Sequence, residues 1–206
     1  MLNTTTRVDT STQIPSHIAK AQVLSFLHNH EKVLNLNPLM KSFKPLPTTS
    51  SIAFYKSVPK AHQPPDPASC SAFAVVESTG DQDEPEAGSW RGGWAKRFVP
   101  ETINYETAVQ TTESGIVSIT HAPMGVNSVT TWALVEEESG GLRVDMWGEV
   151  ESNRMLMAFI RTTLPESYNK LVARLLVNLQ KDLESPNGEE KVENTEGVNT
   201  AEVQKV

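Results

Sequence analysis

The 206-residue sequence predicts an α+β fold in which a curved antiparallel sheet wraps around a long C-terminal helix. Two observations predict this fold. Strand-like segments separated by turns follow one another through the middle of the chain. A long stretch with apolar residues at three- and four-residue steps then follows. Such a helix must bury its apolar stripe, and the concave face of a curved sheet can cover it while leaving a small-molecule cavity between the two.

The first third of the chain changes from strand to helix periodicity. Apolar or β-branched residues alternate with polar ones over residues 2–9, which predicts a strand. After Pro15 the spacing becomes helical as far as Asn37 and Pro38, which predicts one or two short helices with Ser16 as the N-cap. Further strands are predicted at 39–46, 51–58, 70–77, 101–111, 115–121, 128–137 and 142–151. Where the turns between them are short, neighbouring strands should pair antiparallel.

The stretch from Asn153 to Glu184 is predicted to be an amphipathic helix of many turns. Pro165 lies inside it and predicts a kink or a break near residues 162–164, because proline removes one ladder hydrogen bond. A chain of this length suits a single domain, so residues 1–184 are predicted to form one domain. Residues 185–206 are acidic and poor in apolar groups, which predicts a disordered tail.

Charge and cysteine content indicate which partners and which cell compartment to expect. The formal net charge of −7 is concentrated in residues 77–86 and 185–206, and the rest of the chain is nearly neutral. Neither nucleic acid nor an anionic membrane is therefore expected as a partner. The lone Cys70 and the lack of a signal-peptide pattern predict a cytoplasmic location, and the longest apolar run, at 155–160, is too short for a membrane span.

Three phrases relate the sequence to a known superfamily: VLSFLHNHEKVLNLNPL at 23–39, ITHAPMGVNSVTTW at 119–132 and VESNRMLMAFIRTTL at 150–164. With the order of elements, they make the chain resemble START-like (SRPBCC) helix-grip proteins over residues 2–183, in particular a fungal branch. Some relatives with a segment similar to WRGGWAKRF at 90–98 accompany fungal polyketide synthases. The resemblance implies a polyketide cyclase of secondary metabolite or mycotoxin biosynthesis, with a polyketide synthase as a partner, but no shared catalytic residue.

Strand phase selects two candidate catalytic residues. Tyr105 is predicted to face the cavity with Ile103, Thr107 and Val109, and His121 is predicted to do so with Val117 and Ile119. His121 could accept a proton from an acidic C–H or enol, while Tyr105 donates a hydrogen bond to the developing enolate. The alternative is that His121 only caps the turn before Pro123.

The remaining candidates would hold the ligand. Arg161 is predicted to bind a carboxylate or carbonyl at the cavity edge, with a solvated helix flank as the alternative. Residues 90–98 would form a lid that closes Trp94 on an apolar ligand, or else a hairpin turn with one tryptophan in the core. The remaining predicted lining residues are Trp132, Leu134, Ile119 and Phe159.

No metal or other cofactor is predicted, because His28 and His30 would not share a face on a helix and no third ligand is suitably spaced. Three functions stay open. The first is a polyketide cyclase that closes a ring, such as a pyrone or lactone, on a linear β-ketoacyl chain. The second is a protein that binds or transfers a lipid or polyketide without changing it, and the third is a scaffold that contacts a synthase.

Overall fold

The computed structural model describes residues 3–58, 60, 70–78 and 100–184. These ranges contain seven strands and four α-helices. The strands are β1 (Asn3–Ile14), β2 (Met40–Pro45), β3 (Cys70–Ser78), β4 (Thr102–Thr112), β5 (Gly115–Ala122), β6 (Val126–Glu136) and β7 (Leu142–Asn153). The helices are α1 (Lys20–His28), α2 (His30–Leu34), α3 (Thr48–Ser57) and α4 (Arg154–Glu184).

The strands form one antiparallel sheet in the order β1-β7-β6-β5-β4-β3-β2. The curved sheet wraps around α4, which confirms the predicted fold class. β1 continues to Ile14, five residues beyond the predicted end, because all of its residues pair with β7. The first helix begins later than predicted, with Ala19 at its N-cap position instead of Ser16.

The main core lies on the inner face of the sheet, which we define as the face towards α4. Val172, Leu175 and Leu179 of α4 are buried there against strand residues such as Ile116 and Val144. Leucine and valine recur along α4 at the spacing that puts them on one side of a helix, so this side follows directly from the sequence. Burial of this stripe fixes α4 against the sheet.

A second core cluster lies on the outer face of the sheet, beneath α3. Phe54, Tyr55 and Val58 pack there against a row of strand residues that includes Ala108 and Ile119. The predicted strand at 51–58 is therefore wrong. The segment is helical because residues 54, 55 and 58 have the i, i+1, i+4 spacing of one helix face, and the Val58 N–H donates to the Phe54 carbonyl oxygen at 3.2 Å.

α4 is one continuous helix, so the predicted break at residues 162–164 does not occur, whereas a bend stays a prediction. Two threonine hydroxyl groups just before Pro165 donate hydrogen bonds to backbone carbonyl oxygens of the preceding turn. The Thr162 hydroxyl donates to the Ala158 carbonyl oxygen at 3.0 Å, and the Thr163 hydroxyl donates to the Phe159 carbonyl oxygen at 3.1 Å. Such bonds to the preceding turn are a common setting for serine and threonine inside helices.

Several predictions fall outside the described residues, namely the lid at 90–98 with Trp94 and the tail at 185–206. Among the helices that the structure describes, none is both long and apolar enough to cross a membrane.

Candidate functional site

A mostly apolar cavity of about 250 Å³ lies between the inner face of the sheet and the first turns of α4. It is lined by Leu39, Glu77, Ile103, Tyr105, Thr120, Ala122, Pro123, Met124, Val126, Leu156, Phe159, Ile160 and Leu164. A chamber of about 140 Å³ adjoins it across Tyr105 and Thr120. Together they provide a concave, mainly apolar volume with few polar groups, which is typical of small-molecule sites.

The carboxyl group of Glu77, a half-buried residue, forms the polar centre of this cavity. Glu77 lies on β3 and, like Val75, points to the inner face. Its Oε1 accepts a hydrogen bond from the Tyr105 hydroxyl of β4 and another from Asn37 Nδ2 at 2.5 Å. The Leu39 N–H donates to Asn37 Oδ1 at 3.0 Å, which orients the Asn37 amide. Oε2 makes no hydrogen bond to any residue that the structure describes, so this oxygen can serve a ligand.

The environment changes the acidity of both side chains. Burial raises the pKa of Glu77 above its ordinary value, although the hydrogen bonds from Tyr105 and Asn37 partly oppose this. Burial also raises the pKa of Tyr105, and the neighbouring Glu77 charge and hydrogen bond add to the increase. Glu77 is therefore a stronger base than an exposed glutamate, while Tyr105 stays a protonated hydrogen-bond donor at neutral pH.

The adjoining chamber has several hydroxyl groups in its wall. Thr130 Oγ1 and the Tyr168 hydroxyl are 3.1 Å apart, and Thr107 Oγ1 lies 2.9 Å from Thr120 Oγ1. Gly148 allows Tyr168 of α4 to come this close to the sheet, because a Cβ at position 148 would lie 1.9 Å from the Tyr168 hydroxyl oxygen. Hydroxyl groups both donate and accept hydrogen bonds, so this chamber suits the polar end of a ligand.

Pro123 and Met124 of the turn Pro123–Gly125, together with the first turns of α4, form one wall of the cavity. Met124 in this turn has φ 64°, a left-handed conformation that is uncommon for residues other than glycine, and its side chain is 44% exposed. Asn153, the last residue of β7, makes hydrogen bonds both to α4 and to this turn. Its Oδ1 accepts the Leu156 N–H at 3.0 Å, and its Nδ2 donates to the Met124 carbonyl oxygen at 3.5 Å.

Some predicted lining residues lie where the sequence placed them. Tyr105 and Phe159 line the apolar cavity, and Trp132 lines the adjoining chamber. Leu134 is buried in the main core instead of lining either space. Arg161 is exposed on α4 and does not line the cavity, so its predicted position at the cavity edge is wrong and the solvated-flank alternative describes it.

His121 and Ile119 were predicted to face the cavity, and this placement is wrong. They share a face, as predicted, but it is the outer face. The His121 ring makes an edge contact with Phe54 of α3 at 5.6 Å between centroids, and Ile119 is buried in the cluster beneath the same helix. The prediction failed because residues 51–58 were assigned to a strand, which left no helix to cover an apolar outer face.

Glu77 and Asn37 are the site residues that the sequence analysis missed. Glu77 was grouped with the acidic segment 77–86 and treated as a solvated charge. The alternation of Phe73, Val75 and Glu77 on β3 was the signal that would have placed it inside. For Asn37, which lies in the loop before β2, periodicity gave no corresponding signal.

The two histidines considered as metal ligands contact the end of β4. His28 Nε2 lies 3.1 Å from the Thr112 carbonyl oxygen, and His30 Nε2 lies 2.9 Å from Thr111 Oγ1. In the part of the chain that the structure describes, no group of three or more His, Cys, Asp or Glu side chains is placed to hold a metal ion.

A curved antiparallel sheet closed on a long final helix, with a cavity between them, defines the helix-grip class of proteins. Solved structures share this fold at low sequence identity. The Zhui aromatase/cyclase from Streptomyces sp. R1128 matches with a TM-score of 0.53 and 8% identity over 91% of this chain and 99% of that one. A norcoclaurine synthase variant from Thalictrum flavum matches with a TM-score of 0.53 and 8% identity, over 89% of this chain and 99% of that one.

A third similar structure is the two-domain aromatase/cyclase StfQ from the steffimycin biosynthetic pathway. It matches with a TM-score of 0.56 and 7% identity over 87% of this chain and 52% of that one. The chain itself belongs to the family described as domain of unknown function DUF7053, which matches residues 3–181. No curated protein matches the sequence.

Proposed function

We propose that the protein binds a largely apolar carbonyl compound in the cavity and catalyses its ring closure, with Glu77 as the general base. The observation that carries this proposal is the buried Glu77 carboxyl group, which Tyr105 and Asn37 hold through one oxygen while the other stays available. A carboxylate whose pKa is raised by burial is suited to proton transfer near neutral pH. The side chains around it are mostly apolar.

The reaction that fits this arrangement is cyclisation of a 3,5-diketoacyl thioester to a pyrone, because the enol oxygen at C5 closes a six-membered ring on the acyl carbon. Glu77 takes the proton from an enol hydroxyl of the bound chain, and the enol oxygen forms a bond to the acyl carbon. The carbon–sulfur bond breaks, and the thiolate leaves with the proton that Glu77 returns. Tyr105 holds the Glu77 carboxyl group in position, and the walls keep the two reacting ends of the chain close together.

The fold of the aromatase/cyclases supports ring closure as the class of reaction, although fold alone does not fix an activity. Supply of the substrate by a polyketide synthase follows from the sequence resemblance and stays a prediction. The catalytic role first assigned to His121 is not proposed, because its ring lies against Phe54 on the other face of the sheet.

The second candidate is a carrier that binds a lipid or polyketide without changing it. The apolar lining favours it, since Leu156, Phe159 and Ile160 provide contacts without chemistry. The two functions differ in what they require of Glu77. A carrier needs the shape of this side chain, whereas a cyclase needs its ability to accept a proton.

Replacement of Glu77 by glutamine separates the two candidates. The purified protein is incubated with a linear 3,5-diketoacyl thioester, and ring products are compared with a reaction without protein. We expect Glu77→Gln to slow cyclisation by about 100-fold or more, because the base is lost. Binding of the same thioester, measured by quenching of tryptophan fluorescence, should change little, because the amide keeps the shape and still accepts the Tyr105 hydrogen bond.

Glu149→Gln is the matched control, because Glu149 is exposed on β7 and should not affect either measurement. Equal cyclisation with and without the native protein, together with binding of the thioester, would favour the carrier. Full activity in Glu77→Gln would contradict the assignment of Glu77 as the base.

A further inference from the structure

β1 forms an open edge of the sheet. It stands at one end of the strand order, and every residue from Asn3 to Ile14 pairs with β7 on one side. On its other side, none of the residues that the structure describes forms a strand. A row of unpaired backbone N–H and C=O groups of this length is a template for a further strand.

β2 forms the opposite edge of the sheet, and it has features that protect an edge from pairing with another chain. β2 has only six residues, its register with β3 is irregular between Met40 and Ser42, and it carries Lys41, Lys44 and Pro45. Lysine, proline and irregular register all discourage pairing with another chain. β1 has twelve residues in unbroken register and contains neither lysine nor proline. β1 is therefore the edge that is suited to pairing.

The sequence of β1 is chemically symmetric about Val8. From Thr4 to Thr12, residues at equal distance on the two sides of Val8 are either both small hydroxyl residues or a pair of opposite charges. The pairs are Arg7 with Asp9, Thr6 with Thr10, Thr5 with Ser11, and Thr4 with Thr12. If a second copy of β1 pairs antiparallel with its centre at Val8, each residue meets its counterpart. Opposite charges and threonine pairs across antiparallel strands are stabilising.

The two charged residues are placed to make these contacts. Arg7 and Asp9 are both exposed on the outer face of the sheet, and residues opposite each other in an antiparallel pair lie on the same face. The Arg7 guanidinium lies 5.8 Å from the centroid of the Trp147 ring, which holds it on this face. Within the described residues, neither Arg7 nor Asp9 forms an ion pair, so both charges are available to a second copy.

α4 presents apolar residues beside the same edge. The Thr10 hydroxyl of β1 donates to Asn169 Oδ1 of α4 at 2.7 Å, which identifies the side of α4 that lies next to β1. Met155 and Val177 are 54% and 52% exposed, and both lie within about a quarter turn of Asn169 around the helix. A two-fold axis at Val8 would bring this side of α4 towards the antiparallel α4 of the second copy, which would cover both residues.

We infer that the protein forms a symmetric dimer through antiparallel pairing of β1 with β1 of a second copy, centred on Val8. The contact is isologous, so the Arg7–Asp9 pair forms twice. The sheets of the two copies join at this edge, while the two cavities stay on separate subunits. Arg7 and Asp9 lie on opposite sides of Val8, so opposite charges meet when two copies pair with Val8 at the centre. A register shifted by two residues would break these pairs and is disfavoured.

Charge exchange tests the register directly. Arg7→Asp gives a chain with aspartate at both positions, and Asp9→Arg gives a chain with arginine at both. In either homodimer like charges would face each other, so we expect each variant alone to dissociate at least about tenfold more readily than the native protein. When the two variants are mixed, every pair is again opposite in charge, and a heterodimer should form.

Mass measurement by light scattering and by sedimentation, over a concentration series of the full chain, gives the dissociation constants. Lys44→Asp on the opposite edge is the matched control and should associate like the native protein. Association of the mixed variants also shows that each of them is folded. A native protein that stays monomeric throughout the series, or single variants that dimerise as tightly as the native chain, would overturn the inference.

Discussion

At the scale of single residues, Gly148 and Tyr168 show how one missing side chain positions a functional group. Tyr168 is 4% exposed, and its hydroxyl group lies beside Thr130 in the wall of the polar chamber. This position is sterically available only because β7 has no Cβ at residue 148. Burial also raises the pKa of Tyr168, so its hydroxyl group stays protonated.

We therefore expect Gly148→Ala to destabilise the protein by about 1–3 kcal/mol, because Tyr168 must move away from an overpacked position. The free energy of unfolding from denaturant titration measures this effect. In a Tyr168→Phe background the same substitution should cost less, because the nearest atom, 1.9 Å from the added Cβ, is gone. Gly141→Ala is the control, since the nearest neighbour there is the flexible Glu137 side chain. An equal cost in both backgrounds would contradict this explanation.

Residue-scale prediction from the sequence succeeded where strand phase alone decides the question. Tyr105 was placed correctly because it lies between the polar residues Asn104 and Glu106 on its strand. His121 was misplaced, because phase groups residues by face without identifying which face is the inner one. Glu77 was missed because its charge was weighed above its position two residues after Val75. Identifying the inner face requires knowledge of which helices cover the sheet.

At the scale of elements, α3 turns the outer face of β3, β4 and β5 into a second core. It buries Phe54 and Tyr55 against strand residues that would otherwise be exposed. The sequence pattern of 51–58 suits either a strand or a helix, because it is short and contains both β-branched and aromatic residues. Tertiary packing decides between them, as it often does for short apolar segments. The long α4, whose stripe extends over many turns, was predicted almost to the residue.

Phe54→Ala tests the separation of the two faces. We expect it to lower the free energy of unfolding by about 3 kcal/mol, because a large buried ring is lost from the outer cluster. Binding of the β-ketoacyl thioester to the remaining folded protein should be unchanged, since Phe54 does not line the cavity. Phe159→Ala, on the cavity side of α4, should instead weaken binding. Equal effects of the two substitutions on binding would contradict the assignment of α3 to the outer face.

At the scale of the whole molecule, the buried carboxyl group links stability to pH. The pKa of Glu77 is raised in the folded protein above the ordinary value of 4.5, so the folded state binds more protons than the unfolded state in this range. The contribution of Glu77 to the free energy of unfolding must then decrease as pH rises from about 4.5 through the raised pKa. Above that range, the native protein carries the full cost of a buried carboxylate.

Denaturant titrations of the native protein and Glu77→Gln across this pH range measure the effect. The stability of the native protein should fall relative to that of the glutamine variant as pH rises, because the amide does not titrate. Glu149→Gln, at an exposed position, should follow the native protein at every pH. A constant difference between native protein and Glu77→Gln would show that Glu77 titrates normally in the folded state.

The direct passage of β7 into α4 fixes where the first turns of this helix meet the sheet. β7 ends at Asn153 and α4 begins at Arg154, so no loop separates the sheet from the helix whose first turns line the apolar cavity. The distance between sheet and helix there is determined by covalent geometry and by the Asn153 cap. Phe159 and Ile160 line the α4 side of the cavity, so the size of these two side chains contributes to the width available to a ligand. Replacing these two residues with smaller or larger side chains should change the thickness of the molecules that fit in the cavity.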